Sequence, residues 1–133
     1  MRIHVTYTGG TIGMVDSPRG LVPGADQESR FDAVLKEAGG SIGSISLTAL
    51  SPLIDSSNAA PESWQRIIDD LRAGASDADA FVVLHGTDTM AHTCAALSYA
   101  LTDLDRPVVV TGSQLPLGAV GSDAAPNIAG ALH

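Results

Sequence analysis

Short apolar runs that break at glycine-rich polar turns, each followed by a stretch of helical periodicity, recur along this chain. The clearest is Phe81-Val82-Val83-Leu84-His85-Gly86-Thr87-Asp88-Thr89-Met90. Four consecutive apolar residues suit a strand buried on both faces, and Met90, Cys94, Leu97 and Leu101 then recur at helical spacing, predicting a helix from Asp88 to Leu101. At the amino terminus Ile3, Val5 and Tyr7 alternate, and the run ends in Thr8-Gly9-Gly10-Thr11-Ile12-Gly13. From Ile12 to about Asp26 the chain carries Pro18, Gly20, Pro23 and Gly24 with little apolar patterning, and reads as an irregular, mobile flap. Phe31, Val34, Leu35 and Ala38 predict a short amphipathic helix that Gly39-Gly40 ends. Ile45, Leu47 and Ala49 alternate with Ser44, Ser46 and Thr48 as a strand that runs out into Ser51-Pro52-Leu53-Ile54-Asp55-Ser56-Ser57-Asn58.

Pro61 at a first helical position, the stripe Trp64, Ile67, Ile68 and Leu71, and Gly74 just past the end describe the next helix, with Ala60 a poor cap. Pro107-Val108-Val109-Val110-Thr111 predicts a fourth strand with the polar exit Gly112-Ser113-Gln114, and a last helix runs from Asp123 to His133. Strands alternating with helices point to an α/β fold: a three-layer sandwich on a mostly parallel, flavodoxin-like sheet joined by right-handed crossovers. Residues 1–133 read as one domain, and as part of a larger one, because a parallel sheet needs helices over both faces.

Composition narrows the function classes. The chain has 133 residues, 44% of them hydrophobic, which is enough for one core. Its formal charge of −8, from 15 acidic and 7 basic residues, argues against nucleic acid or an anionic membrane surface as partner and leaves a small zwitterion open. Cys94 is the sole cysteine, so no internal disulfide forms, and its place in the apolar stripe predicts buried filler rather than a reactive thiol. The absence of a signal-peptide pattern or membrane-length apolar run predicts a cytoplasmic location.

Thr8, Thr11, Ser56, Ser57, Thr87, Asp88, Thr89, Ser113 and Gln114 all fall near predicted strand ends, which in this architecture converge on one crevice. Any one of them could simply cap a turn or helix. Asp88 in particular suits either a helix cap or a ligand for an ammonium group. Gly9-Gly10-Thr11-Ile12-Gly13 lacks the lysine of a phosphate-binding loop, and no Ser-His-Asp order fits. A threonine nucleophile is left, with turn amides at Gly10 or Gly86 as oxyanion donors. A rival account uses His85, Asp88 and His92 as metal ligands, since Asp88 and His92 are four apart on one helical face.

The motifs Tyr7-Thr8-Gly9-Gly10-Thr11-Ile12-Gly13-Met14, Asp55-Ser56-Ser57, His85-Gly86-Thr87-Asp88-Thr89-Met90 and Val110-Thr111-Gly112-Ser113-Gln114-Leu115-Pro116 together resemble bacterial type I L-asparaginases, over most of that family's amino-terminal domain. The resemblance implies hydrolysis of L-asparagine, and often slowly of L-glutamine, to the acid and ammonia through an acyl-enzyme, with no metal or organic cofactor. It implies Thr11 as nucleophile and Thr87 as second catalytic threonine. Asp88 would hold the substrate α-ammonium, Ser56 with Ser57 beside it the α-carboxylate, and the Ser113 region would line the floor. It also implies a homo-oligomer, or association with a carboxy-terminal segment.

Two departures stand out. The family's flap tyrosine, which assists the nucleophile, is matched here by Leu21, and the family's catalytic lysine lies beyond His133, Lys36 being the one lysine in this chain. The isolated chain is therefore expected to be weak or inactive as an asparaginase. The alternative is a non-catalytic module that binds aspartate or asparagine, or serves assembly. An ammonia-generating subunit of a tRNA amidotransferase shares the threonine motifs, but the acidic charge argues against it.

Overall fold

The computed structural model describes residues 1–40 and 42–133. Four parallel strands form the central sheet: β1 (Arg2–Tyr7), β4 (Ser44–Ala49), β5 (Ala80–Leu84) and β6 (Val108–Thr111), in the order β4-β1-β5-β6. Register is set by apolar matches such as Val5 with Leu47 on one side and with Val82 on the other. Among the described residues four helices flank the sheet: α1 (Gln27–Gly39), α2 (Pro61–Ala73), α3 (Met90–Ala100) and α4 (Ala124–Leu132).

Alternation along the strands divides the interior into two cores. Ile3, Val5, Tyr7, Val82 and Leu84 pack with Phe31 and Leu35 of α1 and Ile128 and Leu132 of α4. Phe81 and Val83 pack with Ile67, Ile68 and Leu71 of α2 and Leu97 of α3. The second face of β1 carries His4 and Thr6, and Thr8 follows the strand, all three buried. The His4 ring joins Ser46 at 3.0 Å and the Asp70 carboxylate of α2 at 2.9 Å, and Thr6 donates to the same carboxylate. This network ties α2 to the sheet where the apolar pattern lapses.

Three expectations are corrected. Residues 12–26 are ordered rather than irregular: Thr11–Gly13 forms a 3-10 turn, and β2 (Met14–Ser17) pairs antiparallel with β3 (Gly20–Pro23) as a hairpin. Its turn is closed by Ser17 Oγ, which donates to the Gly20 carbonyl at 2.7 Å, and by Gly20 at φ +93°. Cys94 is exposed, not buried. The buried line of α3 runs through Thr93 and Leu97, and Cys94 lies one residue, about 100°, off it. The helix also starts at Met90, leaving Asp88 in the turn before it.

Candidate functional site

The carboxyl ends of β1, β4 and β5 lead into three loops that touch backbone to backbone. Thr8 donates through its amide and its hydroxyl to the Leu84 carbonyl, at 2.9 and 3.0 Å, and its own carbonyl accepts from Ile54 N at 2.7 Å. Gly10, at φ +91°, lies so close to the next loop that a Cβ there would stand 2.5 Å from Gly86 Cα. A Cβ on Gly86 would in turn stand 2.3 Å from Ser56 Oγ. Gly10 is required because two main chains pass there with no room for a side chain, and Gly86 because the Ser56 side chain fills the space a Cβ would take.

The loops enclose a cavity of about 190 Å³ lined by Tyr7, Gly10, Thr11, Ser56, Gly86, Thr87 and Asp88, with Met14 and Pro23 of the hairpin over it. That is below the roughly 300 Å³ at which drug-sized pockets begin, a scale suited to a single amino acid. A larger recess of about 620 Å³ lies between α1 and β4, beside Glu28, Asp32 and Lys36. It is away from the carboxyl ends of the strands, where ligands of open α/β sheets bind, so convergent chemistry rather than size identifies the site.

The hydroxyls divide by use. Thr89 Oγ1 donates to the Ser56 carbonyl at 2.8 Å, locking one loop onto another. Ser113 is buried and donates to the Leu115 carbonyl at 2.6 Å, outside the residues that line the cavity. Asp55, which also lines it, is engaged in its own turn, accepting from Ser57 N at 3.0 Å and Asn58 Nδ2 at 2.7 Å. Asp88 Oδ2 accepts from Ser57 Oγ at 3.0 Å, which brings Ser57 to the rim. Thr11, Ser56, Thr87 and Asp88 are thus brought together with Gly10 and Gly86 in one lining, Ser57 stands beside them on Asp88, and Ser113 is outside the lining. Lys36 is remote, paired with Asp32 at 2.6 Å on the surface of α1. Leu21 is exposed on β3 and Tyr99 on α3.

Beneath the site lies a relay that sequence reasoning missed. His85 Nδ1 is 2.7 Å from the Gly86 carbonyl and Nε2 is 3.1 Å from Thr93 Oγ1, which also accepts from Trp64 Nε1 at 3.1 Å. A carbonyl only accepts, so Nδ1 carries the proton and Nε2 accepts from Thr93. Burial pushes the His85 pKa down, against the opposing bond to Gly86, and keeps the ring neutral. Both nitrogens are engaged, which separates His85 from Asp88 and His92 and removes the geometry of the metal account. Among the described residues, no three His, Cys, Asp or Glu side chains are grouped to hold a metal ion, and no helix is long and apolar enough to cross a membrane. Asp123 was also missed: it holds the Gln114 and Leu115 amides at 3.0 and 3.1 Å, and these bonds keep its carboxyl below the usual range.

Comparison with known proteins bears on this geometry. The family described as Asparaginase, N-terminal matches residues 2–133. L-asparaginase 1 of Escherichia coli K12 is 46% identical over 132 residues, covering 98% of this chain and 39% of that protein. The crystal structure of L-asparaginase I from Vibrio cholerae superposes with a TM-score of 0.90 at 41% identity, over 99% of this chain and 40% of that one. A probable cytoplasmic L-asparaginase from Campylobacter jejuni gives 0.75 at 34% identity, over 98% and 40%. The chain spans about 40% of the length of these relatives.

Proposed function

The chain belongs to the asparaginase family, and on that premise we propose that its crevice binds L-asparagine, with L-glutamine as a secondary substrate, and presents the side-chain amide to Thr11. The observation that carries this reading is the convergence of Thr11, Ser56, Thr87 and Asp88 on one amino-acid-sized cavity. A zwitterion needs one fixed anion and a set of hydroxyl and amide donors about one amino-acid backbone away. Asp88 at the rim takes the α-ammonium; Ser56, with Ser57 beside it, takes the α-carboxylate. Ser113, whose hydroxyl is engaged with the Leu115 carbonyl, is assigned a supporting role in the floor.

In the proposed reaction Thr11 Oγ attacks the amide carbon as its proton leaves to a base, and the amides of Gly10 and Gly86 stabilise the oxyanion. Collapse breaks the C–N bond, and the nitrogen takes a proton and departs as ammonia. Water then cleaves the Thr11 ester, giving aspartate and restoring the hydroxyl. Thr87 is the second catalytic threonine. No metal or organic cofactor enters the scheme. The proposal carries over a cytoplasmic location from the Campylobacter jejuni relative and keeps the expectation of a homo-oligomer or of association with a carboxy-terminal segment.

A second reading, a non-catalytic module that binds aspartate or asparagine or serves assembly, is favoured by two observations. Leu21 offers no hydroxyl on the hairpin, and the chain's one lysine is tied to Asp32 far from the crevice. The chain on its own is therefore expected to turn over slowly or not at all. Ammonia release from L-asparagine, with Thr11→Ala as control, separates the two readings. Release abolished by the substitution supports the threonine mechanism, release that survives it rules Thr11 out as nucleophile, and no release by the unsubstituted chain favours the non-catalytic reading.

A further inference from the structure

We propose that Arg30 is a positioning residue for the crevice, clamping the Thr11 turn and the hairpin above it to α1 and to the loop before α4. The clamp rests on geometry alone; its consequence for ligand binding rests on the asparagine reading. The Gly13 carbonyl, at the end of the turn that Thr11 begins, accepts from Arg30 Nη1 at 2.6 Å, Gln27 Nε2 at 3.0 Å and Gly24 N at 3.1 Å. Arg30 Nη2 reaches the carbonyls of Met14 at 3.3 Å and Leu117 at 3.4 Å. Leu117 N closes the circuit by donating to the Ile12 carbonyl at 3.0 Å.

One guanidinium therefore joins the Thr11 turn, the start of the hairpin and the loop before α4. Met14 opens β2 and Gly24 follows β3, while Met14 and Pro23 are register partners and both line the cavity. Among the described residues Arg30 forms no ion pair with a carboxylate, in a chain with 15 acidic residues. Its charge is directed at backbone carbonyls instead, where a rigid fork of donors can hold several acceptors at once and a lysine ammonium, a flexible point charge, cannot fix the same geometry. Gly13 is confined from its other side too, since a Cβ there would stand 2.1 Å from Tyr7 Oη and 2.7 Å from Gln27 Oε1. The turn that carries Thr11 thus has no slack, and Arg30 is the member that reaches all three segments.

Amide hydrogen exchange on the unliganded 133-residue chain tests the clamp. In Arg30→Lys and Arg30→Ala, protection of the hairpin amides and of Gly24 should fall at least about tenfold, while β1 and β5 keep theirs. Millimolar guanidinium should restore the hairpin in Arg30→Ala, and sodium chloride at equal ionic strength should not. Unchanged hairpin protection, or an equal loss in β1 and β5, would overturn the proposal. If Arg30→Ala does not fold, Arg30→Lys decides. L-Aspartate affinity should weaken in Arg30→Lys, and wild-type affinity in a variant with a loosened hairpin would overturn the positioning role. A wild-type chain that binds no aspartate would count against the asparagine reading, while the exchange result still decides the clamp.

Discussion

Replacing Gly86 with alanine probes the contact on which the crevice depends. Gly86 is outside the left-handed region, so alanine brings no backbone strain there. The added Cβ would stand 2.3 Å from Ser56 Oγ and 2.8 Å from Ser56 Cβ, with Gly10 Cα next at 3.5 Å. Rotating the hydroxyl away relieves the first contact but not the second, so the loop carrying Ser56 must move. Overpacking of this kind costs about 1–3 kcal/mol. The collision is with one side chain, so Ser56→Gly should absorb it. In a denaturant-unfolding double-mutant cycle the pair should be more stable than the sum of the single substitutions predicts, by about 1–3 kcal/mol. Additive effects, or a Gly86→Ala variant as stable as wild type, would refute the reasoning. Gly10→Ala is less diagnostic, because at φ +91° it mixes strain with a clash against Gly86.

Other expectations follow from the same structure. Burial alone would raise the Asp70 carboxyl, but hydrogen bonds from His4 and Thr6 outweigh it and hold the pKa below the usual range. A carboxyl depressed by folding stabilises above its unfolded pKa, about 3.9, and that contribution is lost as pH falls through the folded value, so Asp70→Asn should flatten the acid limb of the stability curve below about pH 4. His85 is lowered by burial, so its neutral form stabilises above an unfolded pKa of about 6.5 and the contribution is lost on acidification. Nitrogen-15 NMR at pH 6.5 should show a neutral ring protonated at Nδ1, and an imidazolium signal there would contradict the relay. Leu21→Tyr restores a hydroxyl on the hairpin and should raise ammonia release by about tenfold or more, within the range of a positioned proton donor, if the proton path is what the chain lacks; an unchanged rate would place the deficit elsewhere.

Much of this fold was legible because strands buried on both faces and helices with clear ends leave unambiguous patterns. Phe81–Leu84 and the span from Pro61 to Gly74 fell where the sequence placed them. The hairpin was not legible, since each of its strands is four residues long and its Pro and Gly read as loop punctuation. Cys94 was misplaced because a stripe read at three- and four-residue spacing does not say which neighbouring line faces the core. The polar groupings escaped for a different reason. His4 meets Asp70 across 66 positions and His85 meets Thr93 and Trp64 from separate elements, so nothing local marks either pairing. Thr11, Ser56, Thr87 and Asp88 were readable as a set because each follows a strand of one parallel sheet, and the topology brings such ends together.

The central claim is that these loops form a pocket for an amino acid with its α-ammonium on Asp88. Isothermal titration of L-aspartate into the 133-residue chain and into Asp88→Ala tests it most directly, because binding requires neither a lysine nor a flap tyrosine. The account predicts saturable binding by the wild type, weakened at least about tenfold by the substitution, the scale of one lost charge-assisted bond. Equal affinity in the two proteins, or no binding by a folded wild-type chain, would contradict it.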